Sequence, residues 1–307
     1  MIQKNLSKQS SLIILHIIIF IWGFTGILGE LIEMSSLGLV FNRMLIAYLF
    51  LALIVKQNFV SLKNKKKFFL TGLIIAIHWI CFFEAIKIYN VSLAVTCLST
   101  TALFTSIIDP IINKVKIKKH ELFLSFFVII GIIIIYTSPD LKSNNDNLNS
   151  FKNQAILLSI ISAFCASIFT SLNSIFIKNG NSSYTITKYE MLGGSIFCFI
   201  YMILKDDLNI YIIPSYNDLP YILVLSIICT AFAYLVSVEI MKKIKPFTMN
   251  ISVNLEPIYA IILALIIFPQ NEKMSFLFYL GGFIILISII INSILKKHYK
   301  KKKSRNY

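Results

Sequence analysis

The sequence predicts an all-α polytopic membrane protein, with ten transmembrane helices arranged as two inverted five-helix repeats and both termini cytoplasmic. Three observations predict it. The 307 residues are 57% hydrophobic and only 14% charged, which leaves too little polar surface to face water on every side. Ten apolar stretches lie between the polar breaks, each of a length that crosses a bilayer as a helix. The basic residues fall on alternate loops, as the positive-inside rule requires of a chain that weaves through a membrane.

The first stretch, Leu12 to Gly29, follows Lys4 and Lys8 as a signal peptide would, but it is long for one and no small-x-small cleavage site follows it. It reads as a retained first helix. Leu37 to Val55, Phe68 to Ile88, Val91 to Ile112 and Leu122 to Thr137 complete the first five. The second five are Ala155 to Ile177, Ile186 to Leu204, Leu219 to Met241, Phe247 to Phe268 and Met274 to Leu295. With the segments before Leu12 and after Leu295 in the cytoplasm, the inside segments carry 23 of the 29 lysines and arginines. The outside loops hold Lys87, Lys142, Lys152, Lys205 and Lys273, and Arg43 lies inside a span.

The longest polar interval divides the chain in two. Residues 1–137 form the first repeat, 138–153 an external linker, 154–295 the second repeat and 296–307 a basic cytoplasmic tail. Because five is odd, the second half enters the membrane inverted, the arrangement of transporters whose binding sites lie at the repeat interface near the midplane. Internal matches accompany it. A shift of 155 places Glu84 on Glu239, Lys87 on Lys242 and Ala102 on Pro257, and a shift of 147 places Arg43, Met44 and Leu45 on Glu190, Met191 and Leu192.

Three motifs add a family. WGFTGILGE (Trp22 to Glu30), LEPIYAIILALII (Leu255 to Ile267) and YLGGFIILISIIINS (Tyr279 to Ser293) resemble the EamA-type transporters of the drug/metabolite transporter superfamily. The resemblance extends over nearly the whole chain in span count, loop lengths and repeat structure. It implies a central cavity lined mainly by spans 1 to 4 and 6 to 9, and export or exchange of small metabolites across the cytoplasmic (inner) membrane of a bacterium. Two positions depart from the family pattern: Ala102 stands for the usual proline of the fourth span, and the glutamate after the ninth comes only at the end of FPQNE, at Glu272.

Ionisable residues within hydrocarbon are costly and are functional candidates by default. At about 1.5 Å per residue, Glu256 lies roughly 14 Å along the ninth span from Phe247, near the middle of a core about 30 Å thick. It is the deepest acid in the chain. Thr248, Ser252 and Glu256 recur every four residues as a polar stripe, and Pro257 beside them removes a helix donor, which predicts a bend and a freed carbonyl. Glu256 either meets substrate or carries a proton, or it is a buried glutamate bonded to a neighbouring helix. The same depth arithmetic puts Trp22, His78, Trp79, Thr101 and Ser167 to Ser171 near the midplane, as an aromatic cavity wall with a few polar groups. His78 is a candidate for proton coupling, with hydrogen-bonded packing as the alternative; plain packing is also the alternative for Trp22. Asn250 and Asn254, four apart, share a face with Pro257 and are set to bond substrate or another helix.

Gate candidates lie nearer the surfaces. Arg43 falls about 9 Å below the outer end of its span and Glu84 about 6 Å below that of the next, which predicts an ion pair closing the outer side. Their counterparts Glu190 and Glu239 fall near the inner surface with Lys188, Lys242 and Lys243; Glu239 with Lys242 and Lys243, and Glu84 with Lys87, read alternatively as local helix pairs. Asp109, before Pro110, is a helix-end or gate residue. The glycines, Gly281 and Gly282 among them, are expected where helices pack closely or where a dimer forms.

Composition and motifs exclude several functions. The net charge of +15 is spread over six short loops and tails and so fits topology and anionic lipid better than nucleic acid. Cys81, Cys97, Cys165, Cys198 and Cys229 form no CxxC and no metal-ligand spacing, so no metal or cofactor is expected. There is no GxxxxGK[ST] loop for ATP. The reading is a secondary transporter, not an enzyme, that moves a small organic molecule such as an amino acid by alternating access. Its partners are that solute and the lipid bilayer, with proton coupling and a homodimer left open. The rival classes are an intramembrane enzyme on lipid-linked substrates, whose catalytic groups would cluster at one face, and a channel or membrane scaffold; a channel would show a continuous polar file.

Overall fold

A computed structural model describes residues 7–54, 61–117, 119–139, 146–205, 213–253 and 255–303. Every element among them is helical: α1 Lys8–Leu31, α2 Ser36–Ile54, α3 Leu62–Ile88, α4 Val91–Leu98, α5 Thr101–Ile112, α6 Lys119–Thr137, α7 Asp146–Lys178, α8 Ser183–Lys205, α9 Leu219–Val224, a π-helical segment Leu225–Phe232, α10 Ala233–Ile240, α11 Pro246–Val253, α12 Glu256–Ile267 and α13 Phe276–Lys303. Seven helical stretches among the described residues are long and apolar enough to cross a membrane, and Phe126–Thr137 and Phe276–Ser288 are shorter apolar helices. Large side chains such as Leu53, Phe123, Ile133, Phe232, Ile266 and Phe283 are exposed, as expected of surface that meets acyl chains.

The helices start and stop for local reasons. Ser7 caps α1 by accepting from the Ser10 amide, Ser61 caps α3 through Asn64, and Asn90 caps α4 through Leu93. Helix α7 begins at Asp146, so the second half of the expected external linker is helical. Lys152 on that first part of α7 is buried and donates to the carbonyls of Tyr136 and Ser138, closing the C-terminal end of α6.

Two spans are broken, and they are broken alike. Helix α4 ends at 98 and α5 begins at 101; α11 ends at 253 and α12 begins at 256, so all four bounds of the first pair recur 155 residues later. At the second break Pro257 stands in the first turn of α12, where its missing N–H costs nothing. A full interruption thus replaces the expected bend. At the first break Ala102 brings no proline, and the interruption is held by hydroxyls: Thr100 donates to Cys97 O (2.8 Å) and Thr101 to Leu98 O (2.7 Å). These side chains satisfy carbonyls that the broken ladder leaves free.

Packing places the breaks together. Helix α4 packs on α12 and α5 on α11, so the broken spans run antiparallel beside one another. Helix α3 packs against α7 and α8, α2 against α8 and the π segment, and α1 against α10 and α12. The α3–α8 crossing is close because it is glycine-lined: a Cβ at Gly72 would collide with the Glu190 carbonyl, and one at Gly193 with the backbone of Phe69. Helices α6 and α13 form a separate pair in which Gly281 faces the Gly131 carbonyl, so Gly281 serves packing within the chain.

Candidate functional site

Around the two breaks the helices leave a cavity with about 740 Å³ of empty space, including its mouth. The first half of the chain contributes Trp22 and Thr25 from α1, Arg43 from α2, His78, Trp79 and Phe82 from α3, Leu98 from α4 and Thr101 from α5. The second contributes Ala166, Phe169 and Thr170 from α7, Tyr234 and Ser237 from α10, Met249, Asn250 and Val253 from α11, and Glu256 from α12. The wall is aromatic and apolar, with one guanidinium and one carboxylate among the described residues.

The π segment anchors two of the lining side chains. A π turn shifts the backbone hydrogen bonds by one residue and exposes carbonyls that an α-helix would use. Here Trp22 Nε1 donates to Cys229 O (3.0 Å), and Arg43 Nε donates to Thr230 Oγ1 (2.5 Å), whose own proton goes to Leu225 O five residues back (2.7 Å). The guanidinium lies 3.9 Å above the centroid of the Trp79 ring and 5.5 Å from that of Phe83. Arg43 is thus held by a hydroxyl and an indole face, not by an acid.

Glu256 occupies the first turn of α12, where the positive end of the helix dipole favours negative charge. It is buried, lines the cavity, and shares it with Arg43 without an ion pair between them. Asn250 also lines the cavity and ties the broken spans together by donating to Thr105 Oγ1 (2.7 Å). Asn254 lies outside the described residues. His78 reaches the cavity, but its Nδ1 is 2.9 Å from Ser162 O, and Ser162 Oγ donates back to His78 O (2.9 Å). This arrangement fits the hydrogen-bonded packing alternative on the α7 side of the ring.

Of the expected lining residues, Trp22, His78, Trp79, Thr101, Asn250 and Glu256 are brought together, and Ser167 and Ser171 are not. Their neighbours Ala166, Phe169 and Thr170 face the space instead. Depth along a helix fixes height but not azimuth, and one residue turns the face by about 100°. Ser167 bonds to Phe164 O (2.7 Å) on its own helix.

The gate expectations need correction. Arg43 does not pair with Glu84: Glu84 accepts from Ser36 Oγ (2.6 Å), and Arg43 turns into the cavity. Equal depth placed the two charges at one level but on different sides of their helices. Glu190 does not meet Lys188 at a surface: it is 0% exposed and accepts from Tyr234 Oη (3.1 Å), while Asn173 Nδ2 stands 3.5 Å away and donates to that Oη (2.8 Å). Glu239 pairs with Lys242 (2.5 Å) and accepts from Ser183 Oγ (2.7 Å), as the local alternative had it. Asp109 accepts from Asn113 at the end of α5 (2.7 Å), and Asn113 in turn accepts from Lys178 of α7 (2.7 Å). Tyr234 and Ser237 were not singled out from sequence, and Thr170 only within the run from Ser167 to Ser171; Tyr234 lies 155 residues after Trp79, and that offset would have found it.

A chain whose described elements are all helical, with apolar helices of membrane-crossing length and a largely apolar cavity within the bundle, is a multi-pass membrane protein. The model of the EamA-like transporter family matches it twice, over residues 9–137 and 153–294, and the chain belongs to that family. It is similar to an uncharacterized transporter of Archaeoglobus fulgidus, 24% identical over 220 residues, which span 70% of this chain and 71% of that protein. It also superposes on a crystal structure at a TM-score of 0.65, with 12% identity, over 94% of this chain and 99% of the other; that likeness is one of fold.

Proposed function

We propose that the chain crosses the inner membrane ten times as two inverted five-helix repeats with both termini cytoplasmic, and that it exports or exchanges a small organic solute such as an amino acid by alternating access. One observation carries the proposal: the cavity is built from elements of both halves and sits where their two broken spans run side by side. A site at such an interface is reached from one face or the other as the halves rock. The double family match supports the repeats, and so do paired contacts. Ser36 with Glu84 in the first half corresponds to Ser183 with Glu239 in the second, at the same offsets of 147 and 155 that relate the sequences. In this reading Trp22, Trp79, Thr101, Asn250 and Glu256 meet the solute and the breaks act as hinges.

Counterflow tests it. Purified protein in liposomes loaded with an unlabelled amino acid is expected to accumulate the same amino acid, labelled, from outside, with saturation. Flux that grows linearly with concentration and ignores the loaded solute would make the protein a channel. Absence of exchange for every amino acid would remove this solute class.

A further inference from the structure

Arg43 is 1% exposed and lines the cavity, yet its Nη1 has no hydrogen-bond partner among the described residues. A guanidinium carries five N–H donors, and leaving one buried without an acceptor costs free energy that a folded protein rarely concedes without reason. The anchors already described hold the group from one side only: Nε is taken by Thr230, and one face is covered by Trp79. The nearest compensating charge in the cavity, Glu256, stays beyond ion-pair distance. The space between them is bounded by apolar rings and by the neutral polar groups of Thr101, Ser237 and Asn250.

We propose that Arg43 is the receptor for a carboxylate on the transported solute, with one carboxylate oxygen accepting from Nη1. This rests on the transporter reading above and adds the residue and the functional group to it. A carboxylate suits this donor because it is acceptor-only and planar, matching the guanidinium fork. Holding the cation by a neutral hydroxyl and an indole face leaves its charge available, whereas a resident salt bridge would have used it. Glu256, across the cavity, then favours solutes that carry a cationic group as well, since a lone anion would bring two carboxylates into one low-dielectric space.

The chain has two tryptophans, Trp22 and Trp79, and both line this cavity, so intrinsic fluorescence reports its occupancy without a label. The full-length protein in lipid nanodiscs is titrated with L-leucine, with L-leucinamide, which lacks the carboxylate, and with 4-methylpentanoate, which lacks the ammonium. The expected result is a saturable change with leucine at millimolar concentration or below, and binding of leucinamide weaker by about tenfold or more, the loss of one charge-assisted hydrogen bond. Arg43→Gln should bring leucine and leucinamide to similar affinity; Arg43→Lys, which keeps the charge but not the fork, should keep part of the preference. Leucinamide binding as tightly as leucine to the unaltered protein would overturn the proposal, and so would no response to either carboxylate. The amide comparison uses the native chain, so it stands even where the variants fail to fold. Counterflow of labelled leucine separates the two readings. Acid preference without exchange would retain the carboxylate site and remove the transporter, and exchange without acid preference would do the reverse.

Discussion

Glu256 and Arg43 place opposite charges on one apolar cavity from two halves of the chain, and each is held by a device that leaves it available. For Glu256 the device is a helix start: it stands in the first turn of α12, at the positive end of the helix dipole. Replacing it with glutamine keeps shape and hydrogen bonding but removes the charge, so counterflow should fall about tenfold or more while thermal unfolding changes little. Undiminished exchange in that variant would make Glu256 a structural residue. The Tyr234 hydroxyl has a different task, because it joins Asn173 and the buried Glu190. Tyr234→Phe strands both partners, and a stability loss of about 1–3 kcal/mol is expected in detergent unfolding. An unchanged midpoint would mean that the network contributes nothing. Most of these residues were legible from sequence, since a glutamate, a histidine or a tryptophan at mid-span is conspicuous against leucine and isoleucine. What depth could not supply was rotation. Arg43 was assigned to a gate and Ser167 to the wall because residues at one height can face any direction.

Among the elements, the broken spans carry the most information. The break between Val253 and Glu256 is written in the sequence by Pro257. Its partner at 99–100 is not, because Ser99, Thr100 and Thr101 are unremarkable until their hydroxyls are seen on the Val95, Cys97 and Leu98 carbonyls. The helix starts also differ between the halves. Glu272 accepts from the amides of Val91 (2.9 Å) and Ser92 (2.9 Å) and so closes the start of α4, with Asn90 adding a bond to Asn271 O (3.2 Å). The corresponding positions 155 residues away are Ile117 and Pro246, which offer neither a carboxylate nor an amide hydrogen. Glu272→Gln should therefore weaken this one junction, by about 1–2 kcal/mol, read as a lower unfolding temperature. Wild-type stability in that variant would show the cap to be dispensable. The glycine crossings give a paired test. Gly72→Ala presses a methyl group into the backbone of α8 and should cost about 1–3 kcal/mol, whereas Gly282→Ala meets only Thr96 Cγ2 at 3.5 Å and should stay within about 0.5 kcal/mol of the parent. Similar effects at both sites would contradict the packing described.

Taken whole, the molecule is a bundle whose two halves meet at their polar interruptions, and the transport account depends on those halves moving about the cavity. The span pattern made the bundle legible in advance, because apolar length and loop charge are properties of sequence alone. The cavity was legible only as a set of depths. Its assembly needed the antiparallel contact of α4 with α12 and of α5 with α11, which no local pattern encodes. The most direct test is two-sided accessibility of the cavity. Thr101→Cys is placed in a background lacking Cys81, Cys97, Cys165, Cys198 and Cys229, and sealed vesicles of each orientation are treated with a membrane-impermeant maleimide. Alternating access predicts that Cys labelling at this position occurs from either face and is slowed by a transported solute. Labelling from one face only, unchanged by solute, would contradict it.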